Sequence, residues 1–190
     1  PKSIFFEILF KSLRSNKFRN PLILISSLNI LKTQMQKFKF KKKINLLDIK
    51  KLKMYNLNNR QMNLIDCYYS AKKNSNFSNE YIKKSFKIAF KILKSGYTNK
   101  FLNGPINKSN FLGKKYLGIT EYISKKFQIN KVAMLIYNKD LSVCPLTTHL
   151  PLKLVTKKIN QTLIKEKIIL IDEFYIKNRG FKPKIAVTGL

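Results

Sequence analysis

The single histidine of this 190-residue chain, His149, is the side chain best suited to bind a metal ion or to move a proton near neutral pH. It lies in the sequence Thr-Thr-His-Leu-Pro at 147–151, after an apolar stretch and before a predicted helix. Ends of strands are where α/β sheets place ligands. A catalytic zinc usually has three protein ligands, so the others would come from acidic residues, from sequence outside this chain or from another subunit. The alternative is a histidine that caps or packs within a turn.

Two other segments could hold an anionic group. Gly-Pro-Ile-Asn-Lys at 104–108 follows a short apolar stretch, and its turn could present Lys108 to a phosphate or carboxylate. Its spacing is not that of a P-loop, and a tight structural turn is the alternative. Thr120 begins a predicted helix after Gly118. Its hydroxyl either caps the helix or is presented, with the helix N-terminus, to an anionic ligand.

Cys67 and Cys144 lie in apolar runs and are interpreted as small buried hydrophobic residues. Two cysteines are too few for a disulfide scaffold, and their spacing suits neither a zinc knuckle nor a redox pair. With no apolar segment and cleavage site at the start of the chain, the sequence favours a cytoplasmic protein. No apolar stretch approaches the ~20 residues of a membrane span.

Hydrophobic periodicity alternates between helical and strand patterns along the chain. Helices are predicted at 3–13, with Ser3 as N-cap, and at 28–38, 79–95, 120–127 and 152–170. Strands are predicted at 22–25, 44–49, 64–68, 132–137, 141–146 and 184–187. The turn at 138–140 predicts an antiparallel hairpin. We therefore expect a layered α/β/α fold with a mixed sheet.

The chain is strongly basic, with 39 Lys and Arg against 9 Asp and Glu and a formal charge of +30. An excess of this size would favour binding to a phosphate backbone, so a lysine-rich, ribosomal-type nucleic-acid-binding protein is the alternative function. Lysine supplies nearly all of this charge, whereas dedicated phosphate binders favour arginine. Because Asn, Ile, Phe and Tyr are also abundant, we interpret the lysines mainly as a consequence of an A/T-rich genome, with no specific nucleic-acid partner.

Five motifs occur in an order that resembles 4-hydroxythreonine-4-phosphate dehydrogenase, a family of the pyridoxal phosphate pathway. Thr-Thr-His-Leu-Pro-Leu at 147–152 is the most specific of them. The others are Gly-Pro-Ile-Asn-Lys at 104–108, Gly-Ile-Thr-Glu at 118–121, Val-Ala-Met-Leu at 132–135 and Lys-Ile-Ala-Val-Thr-Gly-Leu at 184–190. The resemblance covers nearly the whole chain and is loosest across residues 28–74.

The resemblance implies a fold related to the isocitrate and isopropylmalate dehydrogenases. It implies an NAD-dependent oxidative decarboxylation of 4-phosphohydroxy-L-threonine in vitamin B6 biosynthesis. It also implies a homodimer with a shared active site, in which three histidines from both subunits hold a divalent cation such as Zn, Mg or Co. His149 matches the first of these ligands. The other two would lie outside this chain.

The family also contacts its substrate through a His-Thr pair. Thr120 matches the threonine, whereas Ile119 stands at the histidine position. The resemblance further implies that residues 1–190 are a single partial α/β dehydrogenase region. It predicts a fragment that lacks an N-terminal strand and a C-terminal part and that is inactive by itself.

Overall fold

A computed structural model describes residues 3–68, 76–107, 111–113, 116, 118–148 and 150–188. The chain divides into two compact units, residues 1–111 (unit 1) and residues 112–190 (unit 2). No helix among the described residues is long and apolar enough to cross a membrane. The α/β class predicted from the sequence is confirmed, because strands and helices alternate through unit 1.

Unit 1 is built on a three-stranded parallel sheet. Its strands are β1 (Ile23–Ser26), β2 (Ile44–Leu46) and β3 (Met62–Asp66), in the order β1-β3-β2. Leu64 of β3 lies opposite Leu24 of β1 and Leu46 of β2. The mixed sheet expected from the sequence is therefore wrong for the described strands, all of which run parallel.

Helices cover this sheet on both faces. They are α1 (Phe5–Ser15), α2 (Leu28–Lys37), a short 3₁₀ helix (Ile49–Met54) and α3 (Asn76–Lys94). Helix α1 begins after Ile4, so the predicted N-cap at Ser3 is wrong. The Ser3 hydroxyl nevertheless accepts a hydrogen bond from the Phe5 N–H at 3.2 Å.

Alternation along β3 sends its apolar side chains into two separate cores. Met62 and Leu64 lie in a core with Phe10 of α1 and Leu31 of α2. Ile65 lies in a second core whose other buried members are Leu47, Leu52 and Ile92. The sheet is thus the middle of three layers, with α1 and α2 on one face and α3 and the 3₁₀ helix on the other.

A side chain of β3 and one of α3 accept hydrogen bonds from the backbone N–H groups at the start of α2. The Ser27 N–H donates to the Tyr81 hydroxyl at 3.1 Å, and the Leu28 N–H donates to the Asp66 carboxylate at 2.8 Å. The same Tyr81 hydroxyl lies 3.1 Å from that of Ser26. Because the first N–H groups of a helix have no partner within it, these bonds join α2 to β3 and α3.

The described part of unit 2 includes three helices and one antiparallel bridge. The helices are α4 (Ile119–Phe127), α5 (Leu152–Lys158) and α6 (Gln161–Arg179). The predicted strands at 132–137 and 141–146 reduce to one bridge, Ile136–Val143, with hydrogen bonds of 2.8 and 3.0 Å. Residues 184–187, predicted as a strand, are exposed and form no strand, and no backbone hydrogen bond pairs them with another described segment.

The long helix predicted at 152–170 is two helices. Asn160 has extended backbone, and its side-chain oxygen accepts the Leu163 N–H at 2.8 Å. An asparagine that caps in this way starts a new helix, so the helix is interrupted between Lys158 and Gln161. Helix α6 then runs beyond the predicted end and stops at Gly180, whose φ of +76° is in the left-handed region.

We predict that Tyr81→Phe lowers the free energy of unfolding by about 1–3 kcal/mol, because it removes the acceptor of the Ser27 N–H and leaves the ring in place. Urea unfolding measures the change. Tyr68→Phe is the matched control, since Tyr68 is 64% exposed, and it should change stability by less than about 0.5 kcal/mol. Equal effects from the two variants would contradict the role assigned to the Tyr81 hydroxyl.

Candidate functional site

Thr120 is the second residue of α4, and the helix begins one position earlier than predicted. Gly118 is the N-cap; it is buried, its backbone is extended, and its carbonyl accepts the Tyr122 N–H at 3.1 Å. The interpretation of Thr120 as the capping residue is therefore wrong. Its half-buried side chain instead lines a cavity within unit 2.

This cavity is small and has both polar and apolar walls. Its volume open to the centres of water molecules is about 50 Å³, room for about three to five waters. The lining residues come from α4, from the two segments flanking the antiparallel bridge and from α6: Thr120, Glu121, Val132, Met134, Pro145, Leu146, Thr148 and Lys167. A cavity of this size accepts one end of a small metabolite and not a whole nucleotide.

Lys167 is the cavity residue that the sequence reasoning missed. Its ammonium donates a hydrogen bond to the carbonyl of Val132 and so connects α6 to the segment before the bridge. The signal was present in the sequence, because Lys167 stands three residues after Ile164 and four before Ile171, on the half-buried face of α6. A lysine at such a position carries a charge into an otherwise apolar stripe.

Two aromatic contacts attach the bridge region to the end of α6. The Tyr175 hydroxyl donates to the Ser142 hydroxyl at 2.9 Å, and the Arg179 guanidinium lies 4.3 Å from the centre of the Tyr137 ring. Together with the Lys167 bond, they attach the segments around the bridge to the middle and the C-terminal end of α6.

Cys67 and Cys144 are free thiols, and among the described residues neither belongs to a group of three potential metal ligands. Cys67 is fully buried, as predicted, whereas Cys144 is half-buried. Burial raises the pKa of both thiols, and the Lys167 ammonium partly offsets the rise at Cys144. At neutral pH both are therefore protonated thiols and weak nucleophiles.

His149 and Lys108 lie outside the described residues. Their neighbours Thr148 and Asn107 are described, and Thr148 lines the cavity that contains Thr120. Among the described residues, no three His, Cys, Asp or Glu side chains lie together as a metal-binding group. The donor set of the described residues therefore does not by itself fit a divalent cation.

The side chain of Phe5 packs directly against the backbone of Gly104. A Cβ added at Gly104 would lie 2.8 Å from Phe5 Cγ and 3.1 Å from Phe5 Cβ, and closer still to Cδ2. Distances this short require the ring to move. Packing against Phe5 is thus sufficient to explain a glycine at this position.

Solved structures share this fold. A 4-hydroxythreonine-4-phosphate dehydrogenase from Klebsiella pneumoniae matches with a TM-score of 0.74 and 21% identity, over 94% of this chain and 57% of that one. The enzyme of the same name from Burkholderia phymatum matches with a TM-score of 0.73 and 21% identity, over 92% of this chain and 55% of that one. This chain therefore has the same α/β fold as the matched parts of these two structures.

The family described as pyridoxal phosphate biosynthetic protein PdxA matches residues 17–190. The chain belongs to this family, and the resemblance read from its motifs is confirmed. A 4-hydroxythreonine-4-phosphate dehydrogenase from Aquifex aeolicus is 36% identical over 97 residues, which are 50% of this chain and 30% of that protein. The one from Neisseria meningitidis serogroup A is 42% identical over 89 residues, or 46% of this chain and 27% of that protein.

The chain thus spans little more than half the length of the solved structures that it matches. Neither the family match nor these relatives support the nucleic-acid-binding alternative.

We predict that Gly104→Ala destabilises the protein by about 1–3 kcal/mol, because the new methyl group displaces the Phe5 ring. Denaturant unfolding of a double-mutant cycle with Phe5→Ala measures the coupling. Phe5→Ala removes the clash, so Gly104→Ala should cost almost nothing in that background. If the cost is the same in both backgrounds, the glycine is required for another reason.

Proposed function

We propose that these residues belong to an NAD-dependent, divalent-metal-dependent 4-hydroxythreonine-4-phosphate dehydrogenase of vitamin B6 biosynthesis. The observation that carries the proposal is the family match over residues 17–190, supported by curated relatives of that name. The cavity agrees in kind, because it combines hydroxyl, carboxylate and ammonium groups with apolar walls.

The proposed reaction oxidises the C3 hydroxyl of 4-phosphohydroxy-L-threonine. The hydride from C3 goes to NAD⁺ and the hydroxyl proton goes to solvent. The resulting β-keto acid loses CO₂ and gives 3-amino-2-oxopropyl phosphate. A homodimer, a cytoplasmic location and kinship with the isocitrate and isopropylmalate dehydrogenases form part of the same proposal.

We assign substrate binding to Thr120. Its side chain lines the cavity in the first turn of α4, beside Glu121 and across from Lys167. A hydroxyl in this place can donate a hydrogen bond to an oxygen of the substrate, and the apolar walls keep competing water out. Ile119, at the family's histidine position, offers no such donor.

We assign metal binding to His149. The assignment rests on the match of His149 to the family's first metal-binding histidine; the described residue before it in the sequence, Thr148, lines the cavity. One imidazole is a single ligand, and the described residues contribute no further cluster. The remaining ligands are assigned to sequence outside this chain, and a bound divalent cation would supply Lewis-acid polarisation of the hydroxyl.

The function is tested with the complete product of the gene. We predict that it reduces NAD⁺ in the presence of 4-phosphohydroxy-L-threonine and a divalent metal. The NADH formed is followed by its absorbance at 340 nm, and we expect about one turnover per second or faster. His149→Ala should reduce turnover by at least about a thousandfold. It should also reduce the amount of metal bound to the enzyme, measured by mass spectrometry, and leave the circular dichroism spectrum unchanged. An inactive wild type, or an active and metal-replete His149→Ala variant, would refute the assignment.

Thr120→Val should weaken substrate binding because it replaces the hydroxyl with a methyl group of nearly equal size. We expect KM for 4-phosphohydroxy-L-threonine to rise about tenfold or more, with kcat changed less. Thr120→Ser keeps the hydroxyl and is the control that should stay close to wild type. If Val and Ser variants have the same KM, Thr120 does not bind the substrate.

A further inference from the structure

Two side chains of opposite charge line the same small cavity and do not neutralise each other. Glu121 lies in the first turn of α4 and Lys167 in the middle of α6. Within the part of the chain that the structure describes, neither takes part in an ion pair within 4.0 Å. Both side chains are half-buried, so water screens them less than it screens surface charges.

Each of these groups retains capacity to bind a ligand. An ammonium has three donors, and Lys167 uses one of them for the carbonyl of Val132. The carboxylate of Glu121 accepts no hydrogen bond from the described side chains and backbone, although its own backbone carbonyl accepts the Ser124 hydroxyl at 3.1 Å. The cavity therefore offers one free acceptor group and one partly used donor group.

The volume of the cavity that both residues line matches the size of one molecular fragment. Room for about three to five waters is close to the five non-hydrogen atoms of an α-ammonium, its carbon and an α-carboxylate. Such a zwitterion carries one positive and one negative charge a few ångströms apart. The threonine hydroxyls at 120 and 148 supply additional polar contacts at the same wall.

We propose that Glu121 and Lys167 recognise the amino-acid end of the substrate, with Glu121 accepting from the α-ammonium and Lys167 donating to the α-carboxylate. This inference rests on the proposed function, because it takes the substrate to be an α-amino acid. The two residues determine specificity: they distinguish a zwitterionic hydroxy amino acid from a hydroxy acid that lacks the amine.

The test uses two competitive inhibitors of the complete enzyme, each lacking one charge of the amino-acid end. One lacks the amine, 3-hydroxy-4-phosphooxybutanoate, and the other lacks the carboxylate, 3-amino-2-hydroxypropyl phosphate. Lys167→Met should raise the inhibition constant of the carboxylate-bearing compound about tenfold to a hundredfold and leave that of the amine-bearing compound within about twofold. Glu121→Gln should give the opposite pattern.

Matched controls lie on the exposed face of α6. Lys165→Met and Glu173→Gln remove the same charges outside the cavity and should change neither inhibition constant. Lys167→Gln keeps an amide donor for the carbonyl of Val132 without the charge, so it replaces Lys167→Met if the latter unfolds in a thermal melt.

The outcomes separate the two proposals. If the wild type oxidises 4-phosphohydroxy-L-threonine and the variants weaken both inhibitors equally, or neither, the recognition of the amino-acid end is wrong and the proposed function stands. The same holds if the control variants reproduce the effects. If the wild type neither binds nor oxidises this compound, both proposals fall.

Discussion

The burial of β3 on both faces is the constraint on which unit 1 depends. Leu64 is fully buried, and its neighbours Asn63 and Ile65 are 2% and 5% exposed. A central parallel strand can be this deeply buried only if its polar atoms are satisfied, and the side chain of Asn63 is the critical case. Its amide donates to the carbonyls of Leu22 and Asn58 at 3.1 and 2.9 Å.

A comparable role in unit 2 belongs to the bond between Lys167 and the carbonyl of Val132. Few side chains are buried there: among the described residues from 113 onward, Gly118 alone is buried. Polar contacts between α6 and the segments around the bridge therefore have a large share in placing the cavity walls. The Lys167 ammonium thus has two roles. It holds one cavity wall in place, and it is the positive charge that we propose to bind the substrate.

The sequence predicted the parts of the fold that depend on local periodicity. Helix α3 was expected at 79–95 and is found at Asn76–Lys94, because Phe86 and Phe90 recur at helical spacing and both are buried. The features that were missed depend on single side chains. Asp48 caps the Lys50 N–H and converts the end of a predicted strand into a 3₁₀ helix, and Asn160 divides a predicted helix into two.

The candidate site was predicted less completely than the fold. Thr120 was identified from a family motif, and the cavity beside it agrees with that assignment without testing it. Lys167 was not identified, because in a lysine-rich sequence its only signal is its place between Ile164 and Ile171 on one helix face. That Lys167 and Glu121 line the same cavity becomes visible only in the tertiary structure.

The two apolar cores that β3 helps to build are made from residues that precede position 98. On a ribosome, the segments that build them are synthesised before any residue of unit 2, and domains generally fold as units in that order. The parallel pairing of β1 with β3 spans about forty residues, so chain closure is slow compared with helix formation. During synthesis from the N-terminus, this closure would have several seconds to occur before α6 is made. The nascent sheet would therefore form before the exposed apolar side chains of α6 could bind to its unpaired strands.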